Sequence, residues 1–178
     1  MRKDKTYIIP FVGLSIGKHL YQYEIGDTFF EQIEYSEVKK GKIKVDLTLN
    51  KQSTMLLLDF SIKGEINIPC DRCNEDFNLP VKSKHQLVVK TGGEQVANTE
   101  DDMIFVSSTD SEIDISHCLY EYIILSLPIK RVHPDDAEGE STCDKEVMKK
   151  LRKYSIKEEK KNSSIDPRWE KLANLKLN

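Results

Sequence analysis

Apolar and polar residues alternate with a period of two through most of the first half of the chain, which is the signature of strands with one buried face. The clearest stretch is Lys42–Asn50 (KIKVDLTLN). There Ile43, Val45, Leu47 and Leu49 share one face, and Lys44, Asp46, Thr48 and Asn50 share the other. Met55–Ile68 continues in the same way through Phe60, Ile62, Ile66 and Ile68, with Gly64 as a candidate bulge. Leu79–Val89 alternates through Val81, Ser83, His85, Leu87 and Val89. Two earlier segments also read as extended. Thr6–Leu14 carries Pro10, which places it at an edge or bend, and His19–Ile25 sets Tyr21, Tyr23 and Ile25 on one face. Between these and the long strands, Asp27 and Thr28 predict the cap of a short helix through Phe29, Phe30 and Ile33.

The periodicity changes after Gly92-Gly93. An acidic stretch follows, holding one short candidate strand at Met103–Val106. Asp114 then predicts the start of an amphipathic helix that runs to about Leu127, carries Ile115, Cys118, Leu119, Tyr122 and Ile123, and is stopped by Pro128. Ser141 with Asp144 has the spacing of a capping box for a helix bearing Val147, Met148, Leu151 and Tyr154. Asp166-Pro167 places a cap residue and a first-turn proline ahead of a last helix with Trp169 and Leu172. The expected architecture is α+β, an antiparallel sheet from the N-terminal half covered by helices from the C-terminal half. Its core would be the sheet from Lys42 to Val89, with the Ile115–Leu127 helix on one face. One domain is expected over 1–154, with acidic loops at 92–112 and 134–143, followed by a basic linker and helix over 155–178.

Length and composition narrow the class. At 178 residues one domain is expected, and 38% hydrophobic with 32% charged residues is a charge-rich composition. The longest apolar run, Tyr122–Ile129, contains Ser126 and Pro128 and is far short of the roughly 20 residues a bilayer span needs. The N-terminus turns from basic to apolar, but Pro10 interrupts it and no small-residue cleavage site follows, so a cytoplasmic protein is expected. The formal net charge of −3 hides a polarity along the chain: +2 over residues 1–93, −10 over 94–143 and +5 over 144–178. That balance argues against a general nucleic-acid coat, which needs clustered cations throughout. Only the basic tail is suited to RNA on charge, and a solvated helix and linker explains it as well.

One compact motif carries chemistry, Cys70-x-x-Cys73 within IPCDRCNEDF. A turn between strands can set two thiolates side by side as half of a tetrahedral zinc site. His133 and Cys143, in the irregular segment after the helix, are the candidate second half. Cys118, on the apolar face of the predicted helix, reads as a small buried hydrophobe. Three readings of the cysteine pair stay open: zinc, metal-free structural thiols, and a redox dithiol. The last prefers CxxC at a helix N-terminus, whereas this pair lies between strands. No phosphate-cradling glycine loop and no nucleophile elbow is present, and His19, His85 and His117 have no Ser or Cys partner at a recognisable spacing. Neither an enzyme nor a small-molecule substrate is expected.

Taken in order, the strand-rich first half, PCDRCNEDF, DISHCLYEYIILSLPIKRVH, a later cysteine and DPRWEKLANL resemble the YceD-type family of large ribosomal RNA subunit accumulation proteins. The opening YIIPFVGLSIGKHLYQYEI, followed by FF, is similar to a Bacteroidetes-like version. The resemblance implies a bacterial cytoplasmic protein needed for accumulation of large-subunit ribosomal RNA, with no known enzymatic activity and no membrane partner. By position it carries the family's cysteine pair onto Cys70 and Cys73, and its later His and Cys onto His133 and Cys143. The expected function is a non-enzymatic ribosome-biogenesis factor whose partner is pre-ribosomal RNA or a large-subunit ribosomal protein. Lys149, Lys150, Arg152, Lys153, Lys160 and Lys161 are the candidate RNA contacts, and Trp169 and Leu172 the candidate anchor on a protein surface. A protein–protein adaptor without RNA contact, or a thiol-redox protein, are the alternatives.

Overall fold

A computed structural model describes residues 5–92, 103–107 and 109–155. The predicted linker with Lys160 and Lys161 and the predicted last helix with Trp169 and Leu172 lie outside the described residues. The chain divides into two compact units, Met1–Cys143 and Asp144–Asn178.

In the first unit a five-stranded sheet follows the alternation closely. β2 (Gly17–Ile25), β3 (Lys40–Lys51), β4 (Met55–Pro69) and β5 (Asp76–Thr91) form an antiparallel meander, and β6 (Met103–Val106) joins the far side of β5 in parallel. A separate antiparallel pair joins β1 (Ile8–Pro10) to β7 (Glu112–Asp114). Thr6–Leu14 is therefore not one strand: a 3-10 turn at Lys5–Tyr7 leads into only three strand residues. Pro10 ends the ladder, and the loop beyond it is held by Lys51, whose ammonium donates to the Phe11, Val12 and Leu14 carbonyls at 2.8, 3.1 and 2.8 Å.

The register explains why one face is dry. Leu47 lies opposite Phe60 and Tyr21, Val45 opposite Ile62 and Tyr23, and Leu49 opposite Leu58, so the apolar sets of adjacent strands meet on the same side. Gly64 is not a bulge, because both its ladders run unbroken, opposite Ile43 on one side and Val81 on the other. The glycine is instead required by close approach. A Cβ there would collide with the Lys42 carbonyl and sit 2.6 Å from the Ile43 Cα. Pro80 is tolerated because, among the described residues, β5 has a second neighbour only at Val88–Thr91, which leaves the Pro80 side of the strand unpaired by them.

Helix α2 (Ser116–Leu125) covers this face, starting one residue later and ending two earlier than the pattern predicts. Its N-cap is Ile115 and not the predicted Asp114, which ends β7; the Asp114 Oδ1 instead accepts the Ser116 N–H at 2.9 Å and the Ser116 hydroxyl at 2.6 Å, just ahead of the first turn. Leu119 and Ile123 are fully buried. Tyr122 packs against Phe60, and its ring lies parallel to His85 with centroids 4.3 Å apart, so His85 is a packing histidine. The short helix α1 (Asp27–Glu31) buries Phe29 and Phe30, but Gly26 is its N-cap. The Asp27 carboxylate turns instead to the Gly41 N–H at 2.9 Å.

The second unit contributes α3 (Lys145–Tyr154). Its cap is Asp144, which accepts the Val147 N–H at 2.6 Å, so the cap lies three residues beyond the predicted Ser141, no capping box forms, and Ser141 is left for another task. Lys149, Lys150, Arg152 and Lys153 are exposed, and no residue of α3 is buried.

Leu47 is 1% exposed at the centre of the sheet. Leu47→Asp should therefore destabilise the protein by on the order of 4 kcal/mol, because it places an unpaired charge in the core. Thermal or denaturant unfolding checks this, and an unchanged transition would contradict the packing described.

Candidate metal centre

Cys70 and Cys73 occupy the turn between β4 and β5. The Cys70 N–H donates to the Glu75 carbonyl and the Asn74 N–H to the Cys70 carbonyl, both at 2.9 Å. Asn74 sits in the left-handed region at φ 63°, which asparagine tolerates better than most residues. The Arg72 N–H points at the Cys70 sulfur from 3.4 Å.

The two residues inside the motif tie down both arms of the second half. Asp71 grips the segment after α2: its N–H donates to the Arg131 carbonyl at 2.7 Å, and its carboxylate accepts the Arg131 N–H at 2.6 Å. The Arg131 guanidinium also lies 3.7 Å from Asp71 and 3.4 Å from Glu37. Arg72 reaches the other arm and donates to the Ser141 hydroxyl at 2.9 Å, which also accepts the Cys143 N–H at 3.4 Å. The acidic loop between is folded back on itself by a bridge between Asp135 and Ser141. The Asp136 carboxylate accepts the Glu138 and Glu140 N–H groups at 3.0 and 2.8 Å, and Gly139 takes a φ of 82°. His133 and Cys143 thus come together across an intervening loop, and the His133 ring lies against Phe77 with centroids 4.6 Å apart.

All four sequence-predicted ligands converge. The sulfurs of Cys70, Cys73 and Cys143 and a ring nitrogen of His133 lie within 4.8 Å of one another. Cys70 Sγ is 3.8 Å from Cys143 Sγ, and His133 Nδ1 is 3.4 Å from Cys73 Sγ and 3.8 Å from Cys143 Sγ. A tetrahedral zinc ion with bonds of about 2.3 Å to sulfur and 2.0–2.1 Å to nitrogen would separate its ligands by about 3.8 Å (S to S) and about 3.6 Å (S to N). The cluster could therefore hold a metal ion with little movement. The three cysteines are buried free thiols and His133 is half-buried. A donor set that already numbers four leaves no open coordination position, which is the character of a structural site.

Burial pushes the Cys70 thiol up, but the backbone N–H groups of Cys73, Arg72 and His133 and the His133 side chain outweigh it, lowering the thiol from 9.0 to about 6. Cys118 differs. Burial, with Glu121 and Asp114 nearby, pushes its thiol up to about 11, and it is half-buried instead of enclosed as its position in the pattern implies. Asp71, Arg72, Arg131 and Phe77 were not singled out from sequence. Only the first two, lying between the cysteines, carried any local signal.

Fold and cluster together define a strand-rich α+β domain whose central hairpin turn gathers a Cys₃His set. The chain belongs to the family of the large ribosomal RNA subunit accumulation protein YceD, whose model matches residues 58–176, a span that takes in all four cluster residues. It is also similar to the "Uncharacterized protein YlbN" of Bacillus subtilis (strain 168), with 27% identity over 156 residues, 83% of this chain and 86% of that protein. No solved structure matches the chain.

Because the Cys70 thiol is lowered in the folded state, its contribution to stability is complete above the unfolded thiol's value near 9 and is lost as pH falls through about 6. In chelator-treated protein, thiolate ultraviolet absorbance should show a step near pH 6 that Cys70→Ser removes. A titration with every thiol near its ordinary value would contradict the hydrogen-bonding just described.

Proposed function

We propose that this protein is a non-enzymatic ribosome-biogenesis factor that supports accumulation of large-subunit ribosomal RNA by binding pre-ribosomal RNA or a large-subunit ribosomal protein in the cytoplasm. Family membership supports the biological role, and the observation that carries a binding role is α3. It is a ten-residue helix with no buried residue and four exposed cations, Lys149, Lys150, Arg152 and Lys153. A helix so uncovered contributes little to a core, and cations on it suit phosphate. In this reading Lys160 and Lys161 extend the phosphate contact, while Trp169 and Leu172 dock on a protein surface.

Zinc is the proposed metal at Cys70, Cys73, His133 and Cys143. Its part is to fasten the acidic loop to the β4–β5 turn, since soft thiolate and imidazole donors in a tetrahedral array favour it. Among the described residues no helix is long and apolar enough to cross a membrane.

An adaptor without RNA contact is the second reading, favoured by the ordered loop that exposes Asp135, Glu138 and Glu140 and would suit a basic ribosomal protein. A redox dithiol is less well supported, because the pair sits in a strand-to-strand turn and not at a helix N-terminus.

Elemental analysis of protein purified without chelator should find about one zinc per chain, lost in Cys143→Ser and restored by none of the remaining thiols. A zinc content near zero, with melting indifferent to chelator, would leave the cluster as packed thiols. For the RNA role, the decisive comparison is salt-dependent binding to large-subunit ribosomal RNA by the wild type and by a variant with Lys149, Lys150, Lys153, Lys160 and Lys161 neutralised. If each of the five meets a single-stranded phosphate, the log–log salt slope should flatten by about 3.5. Unchanged affinity and slope would remove the tail from the mechanism, and retention of a ribosomal protein without RNA would favour the adaptor.

A further inference from the structure

The outer face of the sheet, away from α2, carries an arrangement that packing does not explain. In the β3–β4 register Lys44 lies directly opposite Lys63, and in the β4–β5 register Lys63 lies directly opposite Lys82. Three lysines therefore form a row across three neighbouring strands, which are spaced about 4.8 Å apart. All three are exposed, as is Lys84, one pleat along the same face. Like charges placed directly opposite destabilise a sheet. Only the outer end is relieved, where Glu24 lies 3.5 Å from Lys44. Among the described residues Lys63, Lys82 and Lys84 have no carboxylate within ion-pair distance.

Apart from Glu24, the described acidic residues of the same face make no ion pair with the row. Asp46 and Asp59 accept the side-chain amides of Gln22 and Gln86 at 2.9 and 2.6 Å, and Glu65 lies opposite Lys42. Nor does the face offer bases anything to stack on. Every outward position of β2, β3, β4 and β5 is occupied by a non-aromatic residue. The ligand chemistry that fits is a run of phosphates read for charge and not for sequence.

We propose that the Lys44–Lys63–Lys82 row, with Lys84 beside it, is a binding surface for the phosphodiester backbone of single-stranded RNA. This rests on the RNA-binding reading above and adds a contact on the sheet itself, separate from the basic tail. The repulsion along the row is retained because the bound phosphates neutralise it. Residues whose charge is unfavourable in the free protein and favourable in the complex are expected at a binding site.

The test compares the full-length wild type with Lys44→Gln/Lys63→Gln/Lys82→Gln and with a charge-matched control off the row, Lys18→Gln/Lys39→Gln/Lys130→Gln, using poly(U) over a series of salt concentrations. The row variant should bind more weakly, with its log–log salt slope flattened by about 2, while the control keeps the wild-type slope. The row variant should also melt at or above the wild-type temperature, since it removes repulsion, and this separates lost binding from lost folding. Wild-type protein that binds poly(U) with a slope the row variant shares would overturn this inference and leave the tail as the RNA contact. Wild-type protein that binds neither poly(U) nor large-subunit ribosomal RNA would overturn the RNA-binding reading and the inference together. Equal losses in the row and control variants would reduce the effect to net charge and overturn the specific site. A row variant that melts below the wild type would likewise overturn it, because the repulsion argument would then be wrong.

Discussion

The structure depends on the unbroken register of β3, β4 and β5. Side chains in a strand alternate with a period of two, so a slip of one residue in either ladder would turn the whole apolar set of a strand to solvent. Gly64 protects that register at the point where the Lys42 backbone comes closest, because any side chain there would push the strands apart. The same register places Phe60 and His85 beneath Tyr122 of α2 and brings the end of β4 back into β5 through a tight turn. The cysteine pair lies in that turn, so its geometry follows from the hairpin.

From the turn, coupling to the rest of the unit runs through two side chains that are not themselves candidate ligands. Asp71 holds the backbone at Arg131, and Arg72 holds Ser141, so each side of the loop has its own anchor before any ion is considered. The loop between them satisfies its own amides through Asp136, which lets it close without a partner. The cluster is therefore organised largely by hydrogen bonds. A metal would add a covalent-strength clasp to an arrangement already formed, consistent with a structural role for the site.

The two faces of the sheet answer to different demands. The inner face is mostly apolar, interrupted by Ser83 and His85, and accounts for stability. The outer face includes a line of lysines set directly opposite one another across three strands. A local arrangement that works against folding is physically understandable where it serves an interaction with something outside the chain.

What the sequence determined by itself was whatever repeats locally. The period-two strands from Lys42 to Val89, the α2 stripe ahead of Pro128, and the CxxC turn were all legible, because each depends on neighbours within a few residues. His133 and Cys143 could be named as ligands from residue type and irregular context, and the family resemblance pointed to the same pair. Local patterns misled where tertiary partners compete for a side chain. Asp27 leaves its helix for Gly41, Ser141 serves Arg72 in place of a helix N-terminus, and Gly64 answers to a neighbouring backbone. Only the tertiary structure decided that sulfurs 73 residues apart approach to 3.8 Å, that Asp71 meets Arg131 across 60 residues, and that Lys44, Lys63 and Lys82 share one row. These are consequences of strand register and loop closure, which set distances between segments that no window along the chain contains.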